Sequence, residues 1–340
     1  MTMYEPSQRL HVSQFRVDDF PAGSKTRLEL LIDGLPDGRP LVFSTVMVRG
    51  KHSGKTFLVT GGVHGDEYEG PVAIQDIFAE LNPDTLSGSF VAVPILNTPA
   101  FVAGTREGGW DHQNLARIFP GSATGTISER IAHAFSKFIV GQADFYADLH
   151  AGGNVYRIKR FAGYAVRSPE LNELQRAAAI AFGFDLVWGT TALPGRTLSA
   201  AGDLGVPAIY VEMPGEGRCR PEDLEQAKQG LRNLMALLQM VEGTFPTEPP
   251  KYCFETLGED AGHLQVDHPS PVSGLFVPAV DVWEPVEKGQ LLGQVRHPDG
   301  TVLAEVPSDR IGRVLFIRTL PRVFAGEFLV YVLEFPDGVN

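Results

Sequence analysis

Hydrophobic residues in the first third of the chain fall in short runs rather than at helical spacing. LELLID (28–33), LVFSTVMV (41–48), TFLVTGG (56–62) and FVAVPIL (90–96) each read as a strand, rich in β-branched and aromatic side chains. Residues 70–81, between the last two, carry a helical pattern, which predicts a parallel crossover. Helical patterns recur at 128–140, 169–182 and 221–241, and the last two open with proline at what would be the first helical position. Strands near 145–149 and 208–213 alternate with these helices. The alternation predicts an α/β fold: a mostly parallel, mixed sheet with helices on both faces, where ligands sit beyond the carboxyl ends of strands.

The pattern changes near Thr244, where FPTEPPKY (245–252) interrupts the last helix with three prolines. Beyond it, SGLFVPAV, LLGQV, VLAEV, GRVLFIR and FLVYVLEF are short β-type runs spaced by turn signals such as Pro298-Asp299-Gly300. Two domains are therefore expected, an α/β domain over 1–244 and a small all-β barrel or sandwich over 245–340. SGLFVPAV followed by VEKGQLLGQV resembles the biotinyl/lipoyl-type β fold. The turn HPDGT (297–301) lacks the lysine that a carrier of that type modifies, so a structural or oligomerising module is the expected role, and a homo-oligomer is compatible with it.

Composition narrows the partners. A formal net charge of -12 with 43% hydrophobic residues describes an acidic globular chain, without the basic excess that phosphate backbones attract. The start, MTMYEPSQRL, has no apolar core of a leader, and no stretch approaches the roughly 20 apolar residues needed to cross a bilayer. Neither nucleic acid nor membrane is expected, and the cytoplasm is the expected compartment. Cys219 and Cys253 cannot build a disulfide framework and lack paired metal spacing, so both read as ordinary thiols.

Three segments carry candidate chemistry: GGVHGDE (61–67), YADLH (146–150) and VEMPG (211–215), each at a predicted strand end. His64 and Glu67 stand three residues apart in a turn that opens a helix, and His150 adds a second imidazole. Two histidines and one glutamate with a fourth position open is the ligand count of a catalytic zinc, whereas structural sites are closed and rich in cysteine. Asp148 is suited to accept an imidazole N–H and fix the ring. Glu212, in the apolar strand AIYVE, is the candidate general base, because burial raises a carboxyl pKa toward the range useful for proton transfer. Glu216 competes for that role. His11, His52, His112, His133, His263, His268 and His297 lie without partners at ligand spacing. Residues 97–121 read as a long loop carrying Arg106 and Arg117, whose planar forks suit carboxylates and carbonyl oxygens.

HGDE, then D-x-x-N-L-x-R-x-F-P-G (111–121), then DLH, then a strand ending Val-Glu, resembles the succinylglutamate desuccinylase/aspartoacylase family, related to the zinc carboxypeptidases, over residues 41–217. The resemblance implies a zinc amidohydrolase acting on small N-acyl amino acids. It implies His64, Glu67 and His150 as ligands of one zinc ion and Glu212 as the base. It implies Arg106 as the group that helps polarise the scissile carbonyl, and Arg117 and Asn114 as substrate contacts. The family pattern places asparagine before that second arginine. Ala116 stands there instead, which removes a substrate hydrogen bond and argues against acetylaspartate and succinylglutamate. Within the family, HGDEYEGP and NLARIFPG look most similar to deacetylases of Nα-acetyl-L-2,4-diaminobutyrate. The rival expectations are a carboxypeptidase acting on peptides, a succinylglutamate desuccinylase, and a non-enzymatic binding module.

Overall fold

The computed structural model describes residues 8–258 and 261–336; the start of the chain, read above for a leader, lies partly outside them. In chain order the elements are β1 (Gln8–His11), β2 (Ser24–Gly34), β3 (Pro40–Arg49), β4 (His52–Gly61), α1 (Glu69–Glu80), β5 (Ser87–Val93), α2 (Thr98–Ala103), α3 (Ile127–Phe138), β6 (Phe145–Ala151), β7 (Tyr156–Ile158), β8 (Phe161–Val166), α4 (Pro169–Phe182), β9 (Leu186–Thr191), α5 (Thr197–Asp203), β10 (Ala208–Met213) and α6 (Pro221–Leu237). There follow β11 (Tyr252–Thr256), β12 (Gly274–Pro278), β13 (Pro285–Val286), β14 (Leu291–Arg296), β15 (Val302–Pro307), β16 (Gly312–Arg318), β17 (Arg322–Val323) and β18 (Val330–Leu333).

Ten strands form one mixed sheet in the order β1-β2-β3-β5-β4-β6-β10-β8-β9-β11. Its centre, β5-β4-β6-β10, is parallel. Helices cover both faces. Ile131 and Phe135 of α3 and Ala200 and Ala201 of α5 pack into the core on one side, while Ile74 of α1, Ala178 of α4 and Leu231 of α6 pack into the core on the other. Local signals set the helix bounds. Thr126 and Glu129 form a capping box on α3, and Pro169 begins α4, which Gly183 ends in the left-handed conformation at φ 96°.

The later residues build two antiparallel sheets, β15-β14-β12-β17 and β13-β16-β18, around Phe276, Leu292, Val314 and Val332. Two strands reach across residue 244. β11 extends the large sheet by pairing in parallel with β9, and β7 pairs with β16 of the C-terminal sheets. An aromatic seam of Phe161, Trp188, Tyr252, Phe254, Phe316 and Phe328 joins the two parts.

Candidate active site

Because β4, β6 and β10 are parallel neighbours, their carboxyl ends open on the same edge of the sheet. His64 follows β4 by three residues, His150 lies near the end of β6, and Glu212 sits directly opposite His150 in the register. Residues far apart in sequence thus meet because strand order, not loop length, brings them there. His64, Glu67 and His150 each offer a donor atom within 4.8 Å of the others, and all three are buried. Among the described residues this is the one cluster of three possible metal donors, and the seven other histidines and Glu216 stay outside it.

The hydrogen bonds around this cluster decide which atoms face inward. Nε2 of His150 lies 3.0 Å from Oδ2 of Asp148, and Nε2 of His64 lies 3.1 Å from Oδ1 of Asn114. Both oxygens are acceptors, so each ring carries its proton on Nε2 and turns the Nδ1 lone pair inward. There Nδ1 of His64 meets Oε1 of Glu67 at 2.7 Å and Nδ1 of His150 meets Oε2 at 3.0 Å. Two lone pairs and a carboxylate pointing at one another need a cation between them. A divalent metal fits this donor set: two imidazoles and one carboxylate, with the imidazole protons held outward by acceptors.

The protonation tendencies agree with that demand. Burial opposes charge on His150, but the carboxylates of Asp148 and Glu67 outweigh it and raise its pKa well above the usual imidazole range. A proton there does the cation's work. His64 goes the other way, to about 4, because it is buried and lies beside the Arg106 guanidinium. Burial acts against the Glu67 charge, yet the two imidazoles hold its pKa far below normal.

Asp148 is itself enclosed. Thr60 donates to its Oδ1 at 2.7 Å and Thr197 donates to its Oδ2, so the carboxylate is fixed as an acceptor for His150. Arg106 Nη1 donates to Oε1 of Glu67 at 3.1 Å and comes within 3.2 Å of Nδ1 of His64.

The cluster opens into a cavity whose wall includes Arg106, Arg117 and Glu212. Burial lifts the pKa of Glu212 to about 8, with the Glu67 charge adding to the effect and His150 and Arg106 opposing it. Glu216 has a different place. Its carboxylate pairs with Arg220 at the start of α6. Arg117 is held at about 10 by burial and by the positive charges of Arg196 and Arg106. Asn114, expected at the substrate, has its Oδ1 engaged by His64 and by the Ala116 backbone N–H at 3.0 Å, which orients the His64 ring.

Much of the wall was not singled out from the sequence, Arg196, Tyr210 and Phe316 included. Tyr210 had a signal, since it lies two positions before Glu212 on a strand and so shares its face. Arg196 sits in a short connection without pattern, and Phe316 arrives from the C-terminal sheets.

A buried two-histidine, one-carboxylate cluster at the carboxyl edge of a mixed sheet, facing a cavity with three arginines and one raised carboxyl, is the site of an α/β hydrolytic enzyme with a candidate metal centre. Residues 53–238 match the succinylglutamate desuccinylase/aspartoacylase catalytic domain, and the chain belongs to that family. It is 33% identical over 313 residues to the N-alpha-acetyl-L-2,4-diaminobutyric acid deacetylase of Halomonas elongata, covering 89% of this chain and 88% of the relative. Among solved structures it resembles a succinylglutamate desuccinylase from Silicibacter sp. TM1040, with TM-score 0.81 and 28% identity, over 92% of this chain and 96% of that one. It also resembles the product-bound ectoine utilization protein EutE (DoeB) from Ruegeria pomeroyi, with TM-score 0.80 and 28% identity, over 92% of this chain and 97% of that one.

Proposed function

We propose that the protein is a cytoplasmic, zinc-dependent amidohydrolase that cleaves the amide of a small N-acyl amino acid, releasing a carboxylate and the free amino acid. The observation that carries this reading is the convergence of His64, Glu67 and His150 within 4.8 Å at the mouth of a cavity that Glu212 and Arg106 share. The name of the Halomonas relative makes Nα-acetyl-L-2,4-diaminobutyrate the first substrate to test.

His64 Nδ1, His150 Nδ1 and Glu67 would hold the ion. When bound, zinc lowers the pKa of a coordinated water toward about 7 and draws electron density from an acyl oxygen. Glu212 takes the proton of the attacking water and then passes it to the departing amine; burial raises its carboxyl above the ordinary carboxylate range, toward the pH at which a proton shuttle works. Arg106 is anchored to Glu67 at the edge of the cluster, where its charge stabilises the oxyanion that develops on the carbonyl. Arg117 keeps its proton at neutral pH and grips the substrate carboxylate with its fork.

The test is a panel of N-acetyl and N-succinyl amino acids assayed for amine release by zinc-loaded protein, beside peptides assayed for C-terminal residues. Acyl hydrolysis abolished by chelation is expected; release of C-terminal residues alone would instead mark a carboxypeptidase. Glu212→Gln should lower kcat by about 100-fold or more with the zinc content unchanged. Arg117→Ala should raise KM by about 10- to 100-fold, the loss expected for a charged hydrogen bond, and an unchanged KM rejects its carboxylate role.

A further inference from the structure

The cavity does not end at Glu212. Its wall also includes Arg196, Tyr210, Thr190 and Leu264. Tyr210 and Glu212 leave the same face of β10, and Tyr210 stands opposite Gly163 in the antiparallel pairing with β8. A Cβ on Gly163 would lie 2.4 Å from carbons of the Tyr210 ring, so the ring occupies the space that a side chain there would fill. The ring of Phe161 meets it edge-on, with centroids 5.6 Å apart and planes at 87°. This seat leaves the ring little freedom.

Among the described residues the Tyr210 hydroxyl has no hydrogen-bond partner, although its ring packs between two cores. Burial, reinforced by the Glu212 carboxylate, keeps the phenol protonated and able to donate. A fixed, half-buried hydroxyl in the cavity wall without a protein partner is available to a ligand.

The reading above places the substrate carboxylate on Arg117. The connection carrying Arg196 runs against the Arg117 backbone, where a Cβ on Gly195 would lie 2.3 Å from the Arg117 carbonyl oxygen, and Arg117, Arg196 and Tyr210 line the same cavity. The part of the substrate that Arg117 holds therefore lies on the Arg196 and Tyr210 side of the cavity. Resting on that reading, we propose that Tyr210 is the residue that selects the amino-acid side chain, its ring limiting reach and its hydroxyl pairing with a polar end. The substrate class is then N-acyl amino acids with short, hydrogen-bonding side chains.

The experiment compares wild type, Tyr210→Phe and Tyr210→Ala, all zinc-loaded, on N-acetyl derivatives of alanine, aspartate, 2,4-diaminobutyrate, glutamate and lysine. Tyr210→Phe keeps the ring, so it should lower the ratio of kcat/KM for the favoured polar side chain over N-acetylalanine about tenfold. Tyr210→Ala should raise the ratio for N-acetyllysine over N-acetylalanine by about tenfold or more. Ratios preserved in both variants overturn the proposal while leaving the hydrolase reading intact. A wild type that cleaves none of the panel overturns the hydrolase reading. The selection is then read from titration calorimetry of the free amino acids against the same three proteins, and absent or unaltered binding rejects the role of Tyr210.

Discussion

At the scale of single residues, the site depends on which atoms are turned away from it. Asp148 does not itself line the cavity, yet its bond to Nε2 of His150 is what leaves Nδ1 facing Glu67. Asp148→Asn should therefore weaken metal binding by about 10- to 100-fold, measured by competition with a chromogenic chelator, because such outer acceptors tune ligand basicity by that amount. Glu212 gives a prediction with a definite sign. Folding raises its pKa from 4.5 to about 8 through burial, so the neutral form is the one the fold favours. Its contribution is complete below about 4.5 and is lost as pH rises through about 8. Metal-free Glu212→Gln should thus melt above metal-free wild type at pH 8 and level with it near pH 4.5; a constant gap in Tm would reject a buried, raised carboxyl. A zinc ion bound by His64, Glu67 and His150 would add positive charge near Glu212 and favour the carboxylate. The acid limb of kcat/KM should accordingly lie below the pH at which the metal-free carboxyl titrates.

At the scale of elements, the parts with strong local chemistry were legible. The predicted helix 169–182 and strand 208–213 are α4 and β10, because proline and glycine punctuate the first and an apolar run defines the second. The helix predicted to 241 stops at Leu237, since Gln239 turns to φ 60° and breaks the ladder. β8 and β9 were missed because each contains a glycine, which reads as a loop. Those glycines make room for rings: Gly163 for Tyr210 and Gly189 for Tyr164. The loop 97–121 also hides α2, too short for periodicity though Asn97 caps it through its side chain. Of the residues that line the cavity, His64, Glu67, His150, Glu212, Arg106 and Arg117 were readable from motif; Arg196 and Phe316 were not, since only tertiary contact brings them in. The turn between the donors makes its own demand. A Cβ on Gly65 would lie 2.0 Å from the carbonyl carbon of Ala100 in α2, so Gly65→Ala should cost about 1–3 kcal/mol in a denaturant melt and weaken zinc binding with it. An unchanged midpoint would mean that α2 yields freely.

At the scale of the whole molecule, the two parts are interlocked by exchange of strands. Ending the chain at 244 would strip β11 from β9, unpair β7 and expose Phe161 and Trp188 of the aromatic seam. Such a fragment should be insoluble or metal-free, whereas a soluble, zinc-binding fragment would show that the α/β part folds alone. The same interlocking has a temporal side. Phe316 faces the cavity from β16, long after Glu212 in the order of synthesis. The pocket wall is therefore complete only once β16 has been synthesised and has docked.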